Sequence, residues 1–402
     1  MKRRIMKYDF ITVPDRRGQD CLAADKIPYD DITVKEGFDP IPMWIADMTF
    51  VNPPFIRESV MKRLEVPHYG YFGLPEAYFD AVIRWQEVRH GVKGLKKEYI
   101  GYENGVLGGV ASAVSAFTAP GEKILIHSPT YVGFTGVLKS LGRPAEESPL
   151  VRDENGVWRM DFEDMERRLE ENRIHCAIFC SPHNPSGRVW EEWEVKKAME
   201  VYAAHDCVVI SDEIWSDIIM PGYTHVPSQS VSEDARNRTM AFYSTSKTFS
   251  LAGLIGSYHI VYNPYLRDKL EKQGSMTHYN DCNLLSLYAL LGAYTAEGME
   301  WADEMCSVVN ENIKTAAAFF NGIPGVSVMP SQGTYMLYAD VNGYCGARGI
   351  TPEELRRRGV EVGVIWQNGD DFKVPGTVRI NLALPHSRLL EALDRLEKYV
   401  FI

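Results

Sequence analysis

Cys176-Ala-Ile-Phe-Cys180 running into Ser181-Pro-His-Asn184-Pro-Ser-Gly187, Cys207-Val-Val-Ile210 running into Ser211-Asp212-Glu213, and Met240-Ala-Phe-Tyr243 running into Ser244-Thr-Ser246-Lys247 decide the reading of this chain. Each run is short, apolar and closed by turn-forming residues, as strands buried on both faces are. What stands after them is chemically rich. Asn184, Asp212 and Ser-x-Ser-Lys247 leave three successive strand ends, and in an open sheet of parallel strands ligands bind outside those ends.

The surrounding sequence agrees with that architecture. Lys123 to His127 reads as a further buried strand, while Asp161 to Arg173 and Trp190 to Ala204 carry helical periodicity between strands. Parallel strands with helical crossovers are therefore expected, in an α/β unit spanning 53–292. From about Gly292 the pattern changes to a long helix (Met299 to Phe320), strand-like Gly333 to Val341 and Thr377 to Leu382, and a closing helix from Ser387. This predicts a smaller α+β unit at 293–402. Residues 1–52 lack sustained periodicity and are expected to wrap onto it.

Composition excludes several classes. With 402 residues and 45% hydrophobic content, real cores are available. Lys plus Arg number 43 against 54 Asp plus Glu, a net −11 spread along the chain. Nucleic acid is an improbable partner for such a surface. Basic Met1-Lys2-Arg3-Arg4 is followed by no apolar core of a signal peptide, and no 18-residue apolar stretch suggests a membrane span. Seven cysteines in this setting read as reduced thiols of a cytoplasmic protein. His175, Cys176, Cys180 and His183 lack metal-ligand spacing, and Gly105-x-x-Gly108-Gly109 matches neither a dinucleotide fingerprint nor a Walker loop.

A lysine amine, a carboxylate, an amide donor and clustered hydroxyls are together the inventory of a pyridoxal phosphate site. The ordered series Met43-Trp-Ile-Ala46-Asp-Met48, His68-Tyr-Gly-Tyr71, Ser128-Pro-Thr-Tyr131, Ser181 to Gly187, Ser211 to Ile214, Ser246-Lys247-Thr-Phe249 and Val378-Arg379-Ile-Asn381 resembles the fold-type I, pyridoxal-phosphate-dependent class I/II aminotransferase superfamily. Within it, the series is similar to the MalY/PatB group of cystathionine and cysteine-S-conjugate β-lyases. That resemblance covers nearly the whole chain and implies a large domain with a mostly parallel sheet, a smaller α+β domain and a homodimer.

Carried over by position, the resemblance makes Lys247 the Schiff-base lysine and proton-transfer group, and Asp212 the partner of the pyridine nitrogen. Asn184 donates to the phenolic oxygen and Tyr131 stacks on the ring. Gly105, Val106 and Leu107 offer backbone amides to the phosphate, with Ser244 and Ser246, and Tyr71 reaches the neighbouring subunit's phosphate. Arg379 holds the carboxylate of an amino-acid substrate, with Ala46 also at the substrate, and Trp215 borders the cofactor. Ile255 stands eight residues after Lys247, where many aminotransferases of the superfamily carry a phosphate-binding arginine. The lyases also lack it, which favours C–S β-elimination. Trp215, where the lyases commonly place histidine, and Thr49, where the group usually has aspartate, depart from the pattern. An aminotransferase of small amino acids and a regulatory binding protein retaining the fold are the alternatives.

Overall fold

A computed structural model describes residues 6–402, so the basic start of the chain lies outside the described residues. The four expected buried runs and three further strands form a seven-stranded sheet: β1 Ile100–Glu103, β2 Ile124–Ser128, β3 Ala145–Pro149, β4 Cys176–Cys180, β5 Val208–Asp212, β6 Thr239–Tyr243 and β7 Ser257–Ile260. Their order is β1-β7-β6-β5-β4-β2-β3. All are parallel except β7, which runs antiparallel to both neighbours. β2, β4 and β6 are buried at every residue, because helices cover both faces of the sheet.

Register sets the chemistry level. Cys180 lies opposite Asp212, and Asp212 opposite Phe242, so the ends of β4, β5 and β6 come out side by side. The helices between them have ordinary physical causes. Phe162–Asn172 starts where the Asp161 side chain accepts from the Asp164 amide and stops at Arg173 in the left-handed region. Glu192–Ala204 begins with a capping box of Glu191 and Glu194. Val106–Phe117, called α1 here, packs directly on β6. A Cβ on Gly109 would fall 2.4 Å from the Phe242 ring, so only glycine allows that approach.

The C-terminal part holds a four-stranded antiparallel sheet of β8 Ser327–Val328, β9 Met336–Asp340, β10 Gln367–Asn368 and β11 Thr377–Asn381, ordered β8-β9-β11-β10. Helices Ala296–Asn321, Pro352–Glu361 and His386–Tyr399 accompany it. Residues 41–43 are sewn to this unit: Ile41 and Met43 donate to the carbonyls of Gly363 and Ile365, and the Asn381 amide donates to Met43. The stretch that follows, Trp44 to Asp47, is thereby held against the ends of β4–β6. The departures from expectation are the strands β1, β3 and β7, whose Ile-Gly-Tyr-Glu, Ala-Glu-Glu-Ser-Pro and Ser-Tyr-His-Ile have no apolar run, and the strand expected from Gly333, which begins only at Met336. Gly333, Thr334 and Tyr335 instead bond to Gly187, Ile218 and Leu382, bridging the two sheets.

Candidate active site

A cavity of about 220 Å³ opens where the three strand ends meet the 44–47 stretch. Ala46, Gly105, Val106, Leu107, Tyr131, Asn184, Asp212, Trp215, Ser244, Ser246 and Lys247 all line it. Of the residues singled out in the sequence, Tyr71, Arg379 and Thr49 do not; the Thr49 hydroxyl instead accepts from Arg16. Tyr71 is fully exposed on the loop before helix Glu76–His90, away from the cavity of its own chain. Arg379 lies one layer behind: from β11 it donates to Asn184 Oδ1 (3.1 Å), to the Trp44 carbonyl (3.0 Å) and to Gln367 Oε1.

Lys247 sits in the single turn Thr245–Thr248 that follows β6, and its Nζ donates to the Ala46 carbonyl at 3.2 Å. The amine stands 5.8 Å from the centre of the Trp215 ring, which Tyr335 fixes edge-on. Burial pushes the Lys247 ammonium down to about 8, and the Arg379 charge adds to this; Asp47 and Asp212 oppose it. Asp212 closes β5 with the Ile214 amide on its Oδ1 (3.0 Å). Burial lifts its carboxyl to about 7, against that amide and Lys247. A buried carboxylate with so few donors needs a cationic partner to ionise.

Behind it, Glu213 is treated in the opposite way. Burial disfavours its charge too, but His225 (2.9 Å), Ser228 and Tyr243 (2.8 Å) surround the carboxylate and hold its carboxyl below the usual range. Asn184, whose Oδ1 is occupied by Arg379, keeps its Nδ2 for the cavity. Burial pulls the Arg379 guanidinium to about 10, and its Nε is buried without an acceptor. That group is short of an anion.

At the other end, Gly105 caps α1 with φ of 79° and no side chain takes up the first-turn amides. The N–H groups of Val106 and Leu107 therefore face the cavity free, an anion cradle at a helix N-terminus. Ile255 faces Gly105, its Cγ2 3.7 Å from where a Cβ would stand. Ser244 also braces the turn that carries Lys247, since its hydroxyl donates to the Gly256 carbonyl (2.6 Å) and accepts from the Ser246 amide. Sequence reasoning passed over Asp47, Gln367 and Asp217. Asp47 and Asp217 stood inside quoted or adjoining motifs, one after Ala46 and the other five after Asp212; Gln367 gave no signal. The four residues weighed for metal are otherwise engaged. His183 meets Ser186 Oγ at 2.8 Å, His175 meets the His205 carbonyl, and Cys176 and Cys180 are core side chains.

Helix-terminus amides for a phosphate, an ionisable carboxyl short of a cation, an amide donor and a buried amine form a donor set that fits pyridoxal phosphate. The chain matches the family described as aminotransferase class I and II over residues 63–396 and belongs to it. It is 32% identical to cystathionine beta-lyase PatB of Bacillus subtilis (strain 168), over 89% of this chain and 92% of that one. Cystalysin of Treponema denticola, whose structure contains a pyridoxal 5′-phosphate cofactor, is 31% identical and superposes with a TM-score of 0.89 over 98% of each chain. A pyridoxal-phosphate-bound protein of Clostridium difficile 630 assigned as an aminotransferase is 33% identical with a TM-score of 0.89, covering 97% and 99%.

Proposed function

We propose that this protein is a pyridoxal-phosphate-dependent C–S β-lyase, which cleaves L-cystathionine or a related cysteine conjugate to a thiol, pyruvate and ammonia. The observation that carries the reading is the cavity in which Lys247, Asp212 and Asn184 converge opposite the free amides of α1, with apolar Ile255 in place of a phosphate-binding arginine. Similarity to PatB and cystalysin supports it. The residue roles, the division of the chain near 53 and 293, a homodimer and a cytoplasmic setting belong to the same proposal. The seven cysteines, all unpaired, suit a reducing compartment.

When bound, pyridoxal phosphate supplies the aldehyde that joins the substrate amine and the conjugated ring that accepts the electron pair of the Cα–H bond. The amides of Val106 and Leu107, with Ser246, would hold the phosphate; Asp212 would keep the pyridine nitrogen protonated, and the Asn184 amide would donate to the phenolic oxygen. Arg379 takes the substrate carboxylate, which gives its desolvated guanidinium the anion it lacks. Lys247 Nζ, with its ammonium brought down to about 8, takes the Cα proton as free amine and carries it as ammonium to the departing sulfur. The Ala46 carbonyl holds that amine in place between the two acts.

One assay separates the reactions. Purified protein given L-cystathionine is expected to release pyruvate, ammonia and free thiol in equal amounts. With L-alanine and an α-keto acid, an aminotransferase makes pyruvate without ammonia. Efficient amination of the keto acid with no thiol from cystathionine would replace the lyase by the aminotransferase, the reading that Trp215 and the likeness to the Clostridium difficile protein favour.

A further inference from the structure

The Ala46 carbonyl that holds the Lys247 amine lies in a stretch with no regular secondary structure, so side chains have to fix it. Three distant parts of the chain converge on the residue that follows, Asp47. Asn381, two residues after Arg379, donates its side-chain amide to the carbonyls of Ile45 (2.8 Å) and Asp47 (2.6 Å). Ser250, three residues after Lys247, donates its hydroxyl to Asp47 Oδ1 (2.7 Å) and accepts from the Met48 amide (3.1 Å). It does so at φ of 54°, a conformation that a residue with a side chain keeps only where its surroundings fix it. The third part is Arg16, in the irregular segment before residue 20. Its guanidinium donates to Asp47 Oδ2 (3.0 Å), to the Met48 carbonyl (3.1 Å) and to the Thr49 hydroxyl (3.3 Å).

Charge follows the same route. Among the described residues Asp47 has one ion-pair partner, Arg16, and both side chains are half-buried. Asp47 favours the ammonium form of Lys247, as Asp212 does from β5, while Arg379 opposes it from β11. Tyr131 and Cys180 line the same cavity and Tyr335 lies near Asp47, but burial keeps all three neutral. With Thr49 where the group usually has aspartate, the Arg16 guanidinium has one carboxylate to offset and a neutral hydroxyl beside it. Without Arg16 the Asp47 charge would act on Lys247 undiminished, and the stretch that carries the Ala46 carbonyl would lose three hydrogen bonds.

We infer that Arg16 is a positioning residue for proton transfer at Lys247: its fork grips residues 47–49, which keeps the Ala46 carbonyl on the amine, and its charge offsets that of Asp47 beside it. The inference rests on the reading of Lys247 as the proton-transfer group, not on whether elimination or transamination follows. A planar guanidinium makes three such bonds in fixed directions, whereas a lysine ammonium brings the charge without the fork.

Two measurements test this, the first without the cofactor. In the cofactor-free full chain, acetylation of Lys247 by acetic anhydride at a series of pH values, read by peptide mass spectrometry, reports the free amine. Arg16→Met should move that titration up by about half a pH unit, because the half-exposed Asp47 carboxylate is left unopposed, and Asp47→Asn should move it down by about as much. The double variant should return to the parent value, since two neutral side chains leave as little net charge as the ion pair. Mere loosening of the fold would admit water and move Lys247 upward in every variant. In the pyridoxal-phosphate-loaded full chain, exchange of the Cα proton of L-alanine for solvent deuterium, followed by NMR at pH 9, reports the transfer itself, Lys247 taking the proton and returning a deuteron. Arg16→Met should slow this exchange about tenfold through misplacement of the amine. Arg16→Lys should keep the titration at the parent value and recover only part of the rate. Asp47→Asn serves even where Arg16→Met folds poorly. A titration that Asp47→Asn fails to lower, a double variant that stays high, or an exchange rate unchanged in Arg16→Met overturns the role of Arg16. A parent protein that exchanges no Cα proton instead sinks the proton-transfer reading, and the inference with it.

Discussion

Asp212 carries opposed demands that make its substitution informative in two states of the protein. Its folded carboxyl stands at about 7, above the ordinary 3.8, because burial penalises the charge. A group raised in this way stabilises fully below its unfolded value, and that contribution is lost as pH rises through the folded value. Cofactor-free protein should therefore lose up to about 4 kcal/mol of stability between pH 4 and 8 through this group, and Asp212→Asn should remove the loss. Urea denaturation of both at pH 5 and pH 8 checks it; an Asn variant less stable than the parent at pH 8 would show that Asp212 is paired without the cofactor. With cofactor present the ranking should reverse in function, since an amide cannot keep the pyridine nitrogen protonated, and turnover should fall by several orders of magnitude. Lys247→Ala should abolish both turnover and covalent retention of the cofactor. Borohydride reduction and peptide mapping of the parent protein should place the label on Lys247 and nowhere else.

At the scale of elements, the strands that carry Asn184, Asp212 and Lys247 were readable because parallel strands buried on both faces have to be continuous apolar runs, and the register of β4–β6 then follows from simple adjacency. β7 was not, since Ser257 and His259 interrupt its pattern; His259 is satisfied only by Glu103 across the sheet, a pairing of residues 156 apart. The lining of the cavity was legible for the same reason as the strands, and its support was not. Asp217 illustrates this. Its carboxylate gathers Trp85 Nε1 (2.9 Å), Arg89 (3.1 Å) and His90 (3.0 Å) from helix Glu76–His90 and the Thr248 hydroxyl (2.9 Å) beside Lys247. No local pattern announces a convergence of residues that far apart. Burial alone would raise this carboxyl, but His90, Arg89 and Thr248 outweigh it and bring it down to about 2. A depressed carboxyl stabilises above its unfolded value, so this contribution should be present from about pH 4 upward and fade as pH falls toward 2. Asp217→Ala, which leaves buried donors without their acceptor and Arg89 paired only with the exposed Asp303 (2.9 Å), should cost about 3–5 kcal/mol at pH 7 in urea denaturation. Its deficit against the parent should shrink at pH 3; a deficit independent of pH would mean that lost packing, not lost charge, is responsible.

The whole molecule presents a face that a single chain leaves uncovered. Tyr69, Tyr71 and Phe72 are exposed on one loop, Met276 and Tyr279 are exposed at the end of helix Pro264–Thr277 and just beyond it, and Ile255 is exposed where it lines the cavity, an amount of bare apolar and aromatic surface that marks an interaction site. Tyr279 lies against Gly108 of α1, so part of this surface adjoins the anion cradle itself. A second copy of the chain, bringing its Tyr71 to that cradle, would cover the surface and complete the phosphate site at once. A two-fold axis makes such an exchange reciprocal: each site uses its own Lys247 and its partner's Tyr71. Reciprocity gives a quantitative expectation. In a heterodimer of Lys247→Ala and Tyr71→Ala chains, one site carries both defects and the other carries neither. Random reassortment of equal amounts puts about half of the chains in heterodimers, and one site in two of those is intact, so two inactive proteins should recover about a quarter of the parent activity on mixing. Lys247→Ala mixed with Asp212→Asn, whose defects lie on the same side of the exchange, should recover nothing, because every site then lacks one of them. Sedimentation should show a dimer before and after mixing. Activity in a sedimenting monomer, or equal recovery from both mixtures, would place Tyr71 outside its neighbour's site.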